Sequence, residues 1–163
     1  MKEKLSHFDD SGRAKMVDVG QKSESTRKAI ARSRLKISSN LVEILEQGQL
    51  EKGDAFTVAK TAGILAAKQT GQLIPMCHPL PLDYVNIEIQ MLSQEKEIRI
   101  EAEAATTAKT GVEMEALVAA SVTALTFYDM CKAVDKGIEI TRTGLFRKTG
   151  GKSGTYENKS FEW

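Results

Sequence analysis

The chain has 163 residues, 41% of them hydrophobic, which suits one domain with a real core. A formal net charge of +1 gives no global field that points to nucleic acid or a membrane surface. Two cysteines, Cys77 and Cys131, form no CxxC, and with two histidines they offer neither a disulfide framework nor metal-ligand spacing. The N-terminus is polar and charged, unlike a secretion signal, so the expectation is a cytoplasmic protein.

The charges are segregated along the chain. Residues 22–36 carry six bases against one acid, residues 83–115 carry eight acids against three bases, and residues 132–159 are basic again. Local basic patches of this size suit a small polyanion better than a duplex.

Residues 1–20 read as a polar arm whose few apolar points are Phe8, Met16, Val17 and Val19, with a short strand at 16–19. In 27–37, Ala29, Ala31, Ser33, Leu35 and Ile37 alternate with Lys28, Ile30, Arg32, Arg34 and Lys36, a strand with one basic face. Ser38-Ser39-Asn40 caps a short helix over 41–47, closed by Gly48. Asp54 caps a second helix over 55–70, with Val58, Ala62, Leu65 and Ala66 at helical spacing and Gly71 as its end.

All three prolines, Pro75, Pro79 and Pro81, then fall within seven residues, which stiffens the loop around Met76-Cys77-His78. Val85, Ile87, Ile89 and Met91 mark one strand, and Ile98, Ile100, Ala102 and Ala104 the next, with the hairpin turn at 93–96. A strand at 138–148 follows the long helix discussed below, and 148–163 reads as a glycine-rich mobile tail.

The order is β-α-β-β-α-β. It predicts an α+β, ferredoxin-like single domain over 1–163, an antiparallel sheet with helices on one face. The other face mixes Arg32 and Arg34 with Glu88, Glu101 and Glu103, which suits solvated cross-strand pairs. Tyr84 alone offers stacking there, too little for a single-strand RNA platform.

The stretch 109–134 organises the rest. Between Ala116 and Tyr128 there is no charged side chain, so a helix buried on most sides is expected there. This run is shorter than the roughly 20 residues a membrane span needs. Glu113 and Glu115 stand at its start, Asp129 and Lys132 at its finish. Such charges complement the helix dipole or pair across one turn, and they equally suit a working site. Ala116, Ala119, Ala120 and Ser121 suit close packing against a neighbouring subunit or a monomer core alike.

A Cys77–His78 dyad is disfavoured, since neighbours in an extended chain point to opposite sides. His78 reads either as a proton donor or phosphate contact, or as a loop histidine meeting water. Lys52 precedes a helix N-terminus and so suits an anion, although surface lysines are common. Lys148-Thr-Gly-Gly-Lys-Ser-Gly154 is not a P-loop, because Phe146 stands where the first glycine is needed. Lysines among glycines still suit a flap closing over a polyphosphate.

Four runs carry a resemblance: Leu73 to Leu80, Lys109-Thr-Gly-Val-Glu-Met-Glu-Ala-Leu117, Leu125-Thr-Phe-Tyr-Asp-Met-Cys-Lys-Ala-Val134, and Lys148 to Gly154. With Ser6-His-Phe-Asp9, Met16-Val-Asp-Val19 and Thr26-Arg27, they resemble the cyclic pyranopterin monophosphate synthase family, the accessory protein C family of molybdenum cofactor biosynthesis. The resemblance runs from about residue 5 to 154.

It implies a ferredoxin-like lyase, a phosphorus-oxygen lyase assembled as a hexamer, a trimer of dimers with sites between subunits. Its substrate would be a 3',8-cyclised dihydro derivative of GTP made by a radical enzyme, with which transient contact is one expectation. Its products would be cyclic pyranopterin monophosphate and diphosphate. Asp129 is implied as the acid/base, in a catalytic set with Lys52, Lys132 and His78. Substrate contacts are implied for Met76, Cys77, His78, Glu113, Met114, Glu115, Lys148 and Arg27. No cofactor, metal, nucleic acid or membrane is implied. A non-catalytic nucleotide- or pterin-binding module is the alternative. Glu115 and Asp129 are 14 residues apart, about 21 Å along a helix, which predicts a pocket shared between chains.

Overall fold

The computed structural model describes residues 11–152, 154–161 and 163; the motif residues Ser6, Asp9 and Ser153 and the apolar Phe8 lie outside them. Strict alternation makes β1 (Ser25–Lys36) the middle of a sheet, with Ala29, Ala31, Ser33 and Leu35 buried on one side. The helical layer follows in α1 (Ser39–Glu46), α2 (Ala55–Lys68) and the single turn α3 (Thr70–Leu73). Strands β2 (Tyr84–Leu92) and β3 (Glu97–Ala108) form the hairpin, and the long helix α4 (Glu113–Cys131) leads into β4 (Glu139–Thr149). The sheet order is β2-β3-β1-β4-β5, every pairing antiparallel, with β5 at Tyr156–Glu157. This is the expected ferredoxin-like α+β arrangement with one added edge strand.

The caps are local chemistry. The Ser38 side chain accepts from the Leu41 N–H, and Asp54 accepts from the N–H groups of Phe56 and Thr57. Ile98, Ile100, Ala102 and Ala104 are fully buried, as the alternation requires. Phe127 of α4 is fully buried edge-on against Phe56 at 5.5 Å between ring centres, a burial worth roughly 2–3 kcal/mol.

Helix α2 departs from expectation. Its buried residues are Ala55, Ala59, Gly63, Ala66 and Ala67, whereas Val58 and Leu65 are 43% and 55% exposed. The cause is Gly63, where a Cβ would stand 2.0 Å from Thr123 Oγ1 and 2.9 Å from the Ala119 carbonyl. Small residues on both helices let α2 and α4 approach closely, and that contact overrides the pull of larger side chains. Ala116, Ala119 and Ala120 are therefore consumed in the core of the single chain. Although α4 is long and apolar enough to cross a membrane by length and composition, it packs on the sheet and on α2.

Three other expectations change. Residues 16–19 form no strand; an isolated bridge at Ala14 is the nearest pairing. Helix α2 ends at Lys68 with Gln69 as its C-cap, not at Gly71, which instead lies in α3 where a Cβ would meet Pro79 Cα at 3.0 Å. Beyond Gly154 the chain is no free tail: Tyr156 and Glu157 pair with Lys148 and Arg147, and the Asn158 N–H donates to the Phe146 carbonyl at 2.7 Å. Lys148 belongs to β4, within a strand rather than on a flap.

The sheet's outer face carries the cross-strand pairs Arg32–Glu101 and Lys28–Glu103, both at 2.7 Å. Sequence reading missed its aromatics: the Arg32 guanidinium lies 3.5 Å from the Phe146 ring centre and 4.7 Å from that of Trp163.

Candidate active site

The proline loop and the start of α4 converge. Gly71 fits closely on Pro79, Thr106 Oγ1 donates to the Pro81 carbonyl, and the Asp83 N–H donates to the Ala105 carbonyl at 3.0 Å. The loop is thus clamped between α3 and β3. It is also bent, since the Cys77 N–H donates to the Ile74 carbonyl at 3.0 Å. Cys77 and His78 both line one cleft. This cleft, about 460 Å³, is bounded by Met76, Cys77 and His78 on one side and by Gly111, Glu113, Met114 and Glu115 on another.

Glu115 is 4% exposed. Burial pushes its carboxyl pKa up, opposed by its own backbone N–H and reinforced by Glu113. Burial, with the Glu115 charge as the lesser cause, also raises the Cys77 thiol. Glu113 folds back over Gly111, where a Cβ would lie 1.9 Å from its Oε2, and its Oε1 pairs with Lys148 Nζ at 2.9 Å. The N-cap residue Val112 offers the first turn of α4 no side-chain cap, and the Glu115 carboxyl there accepts from its own N–H.

Arg27, expected to contact substrate, makes structural bonds here. Its Nε donates to the Ala108 carbonyl at 3.0 Å and a terminal nitrogen to that of Lys109 at 3.3 Å. Its guanidinium also lies against Gly151, where a Cβ would come within 2.3 Å.

The second cluster sits at the far end of α4. Asp129 pairs with Lys132 one turn on, Oδ1 to Nζ at 2.6 Å, as the i,i+3 spacing allows. Lys52 adds a contact that spacing does not announce, reaching Asp129 Oδ2 at 3.3 Å and donating to the Asp129 carbonyl at 2.9 Å. Hydrogen bonds from Lys132 and then Lys52 hold the Asp129 carboxyl below its ordinary range. All three side chains are solvent-exposed.

The expected site residues therefore fall into two groups. Met76, Cys77, His78, Glu113, Met114 and Glu115 share the cleft, with Lys148 paired to Glu113. Asp129, Lys52 and Lys132 meet at the other end of α4, so His78 does not join the other three catalytic candidates in one chain. Sequence reading missed Val17, Val19 and Lys22, which complete the cleft wall from the arm. The motif run Met16-Val-Asp-Val19 and the basic run beginning at Lys22 were the signals that pointed to them.

Residues 16–151 match the model of the MoaC family. The chain is 51% identical over 156 residues to the cyclic pyranopterin monophosphate synthase of Peptoclostridium acidaminophilum, covering 96% of this chain and 98% of that one. It is 48% identical to the protein of that name from Thermomicrobium roseum (97% and 95% covered) and 48% identical to that from Clostridium botulinum (98% and 100%). Identity of this order over nearly the whole chain, with the family match over residues 16–151, shows that the chain belongs to the MoaC family.

Proposed function

We infer that this protein is a lyase of molybdenum cofactor biosynthesis. It converts a 3',8-cyclised dihydro derivative of GTP to cyclic pyranopterin monophosphate with release of diphosphate. The near-full-length identity to relatives bearing the synthase name carries this reading. The two carboxylates of opposite poise support it, because rebuilding one fused ring system into another is a series of proton transfers.

Asp129, kept ionised by two ammonium groups, is the base, whereas Glu115, pushed toward its neutral form, holds a proton or donates a hydrogen bond. His78, lining the same cleft as Glu115, is a second candidate acid/base group. Closure of the cyclic phosphate joins a sugar hydroxyl oxygen to the α-phosphorus and breaks its bond to the bridging oxygen of the β-phosphate. Diphosphate then leaves with that electron pair, and Lys52 and Lys132 stabilise the charge that builds on it, while Lys148 holds the substrate's phosphates. Met76, Cys77 and Met114 line the half-apolar wall for the ring system, with Glu113 and Arg27 holding the neighbouring backbone and Lys148 in place.

The two clusters lie about 21 Å apart along α4, too far for one compact ligand to touch both. A second copy therefore brings its own Asp129, Lys52 and Lys132 to the cleft, in a hexamer built as a trimer of dimers. The setting is the cytoplasm, where the upstream radical enzyme supplies the substrate. The test is to incubate purified protein with the cyclised GTP derivative and to assay for pyranopterin and diphosphate. Tight binding without either product would leave a non-catalytic binding module.

A further inference from the structure

The cleft's third wall comes from the arm, through Val17, Val19 and Lys22. This segment makes no strand, so something else must hold it in place. Two local bonds shape it. The Gly20 N–H donates to Asp18 Oδ1 at 2.8 Å, and the Lys22 N–H donates to the Val19 carbonyl at 3.1 Å. Together they form a tight turn whose tip presents the Gly20 carbonyl outward.

That carbonyl accepts from Lys109 Nζ at 2.9 Å, a contact between residues 89 apart in the chain. Lys109 is itself fixed at the end of β3, because its own carbonyl accepts from Arg27 of β1. The guanidinium thus holds the strand end while the ammonium holds the arm. Two residues later, Gly111 opens the cleft floor.

We propose that Lys109 is a positioning residue, whose ammonium on the Gly20 carbonyl holds residues 17–22 closed over the cleft and so sets how tightly the cleft retains its ligand. This rests on the reading that the cleft binds substrate, but closure itself is measurable without substrate. Cys77 lines the cleft under the arm, and Cys131 is fully buried in the core, where burial pushes its thiol up to about 11. A small aromatic disulfide reagent therefore reports arm opening at Cys77, with Cys131 as the internal control for unfolding.

Lys109→Met keeps the aliphatic stem and removes the donor. The modification rate at Cys77 should rise about fivefold, the scale for losing one exposed charge-assisted hydrogen bond, while Cys131 stays unreactive. KM for the cyclised GTP derivative should rise by a similar factor with kcat nearly unchanged, and Lys109→Arg should restore both. Asp18→Ala, which loosens the turn from the arm's own side, should reproduce the thiol result. An unchanged Cys77 rate in both variants would overturn the proposal. So would faster Cys77 modification only when Cys131 reacts as well, since that reports unfolding. A faster Cys77 rate with no measurable turnover in any form would uphold the arm contact and sink the enzymatic reading instead.

Discussion

At the start of α4, Glu115 is enclosed by the cleft and its acid is pushed toward neutrality; at the end, Asp129 is exposed between Lys52 and Lys132 and is held ionised. One helix thus delivers two carboxylates into opposite environments, one set by desolvation and the other by charge. A base and an acid of different poise need no unusual residue type, only two ends of one buried element. Rigidity comes with the arrangement, because Gly63 and the alanines of α4 lock the helix against α2.

The largest expected effect comes from removing the charge at the exposed end. Asp129→Asn should lower kcat by about 10²–10⁴-fold, the range for a lost acid/base group. Its melting temperature should stay within roughly 2 °C, because exposed ion pairs contribute little. Parallel loss of folding and activity would reduce the cluster to a helix-end pair. In the companion Lys132→Met, the main cause of the lowered Asp129 pKa is gone, so the acid limb of the kcat/KM profile should move to higher pH.

Mixing tests whether the two ends serve one pocket. Glu115→Gln and Asp129→Asn chains, each inactive alone, are dissociated and reassembled at equal ratio. If pockets are shared between chains, about a quarter of them carry both intact residues and activity returns to that fraction. Mixed assemblies verified by mass that remain inactive would place each complete site within one chain.

A smaller effect is expected at the rim of the cleft. Lys148→Met removes the partner of Glu113 and one cation for the phosphates, so KM should rise about tenfold with kcat little changed. A fall in kcat alone would move Lys148 from holding the substrate to stabilising the leaving group.

The smallest effect sharpens the buried end. A carboxyl whose folded pKa is raised is destabilising where it is ionised: its native form binds more protons than the unfolded chain, so stability falls as pH rises from the ordinary glutamate value through the raised one. Glu115→Gln should therefore raise the melting temperature by a few degrees near pH 7, and the gain should vanish below the ordinary glutamate range. A gain that persists in acid would assign the effect to packing instead of charge.

Local rules determined much of this molecule from its sequence. Period-two alternation set the faces of β1 and β3, Ser38 and Asp54 capped their helices, and the three-residue spacing joined Asp129 to Lys132. Each depends on neighbours within a turn or a strand, so each is written in consecutive residues. The motif runs likewise marked the candidate residues and the family. The tertiary structure alone decided which side of α2 is buried, because the choice of Ala59 and Gly63 over Val58 and Leu65 depends on how closely α4 approaches. It alone brought Lys52 to Asp129, Lys148 to Glu113 and Lys109 to Gly20, contacts across 77, 35 and 89 residues. No periodicity encodes such pairs: they follow from the packing of whole elements, and the same packing separates Asp129 from His78.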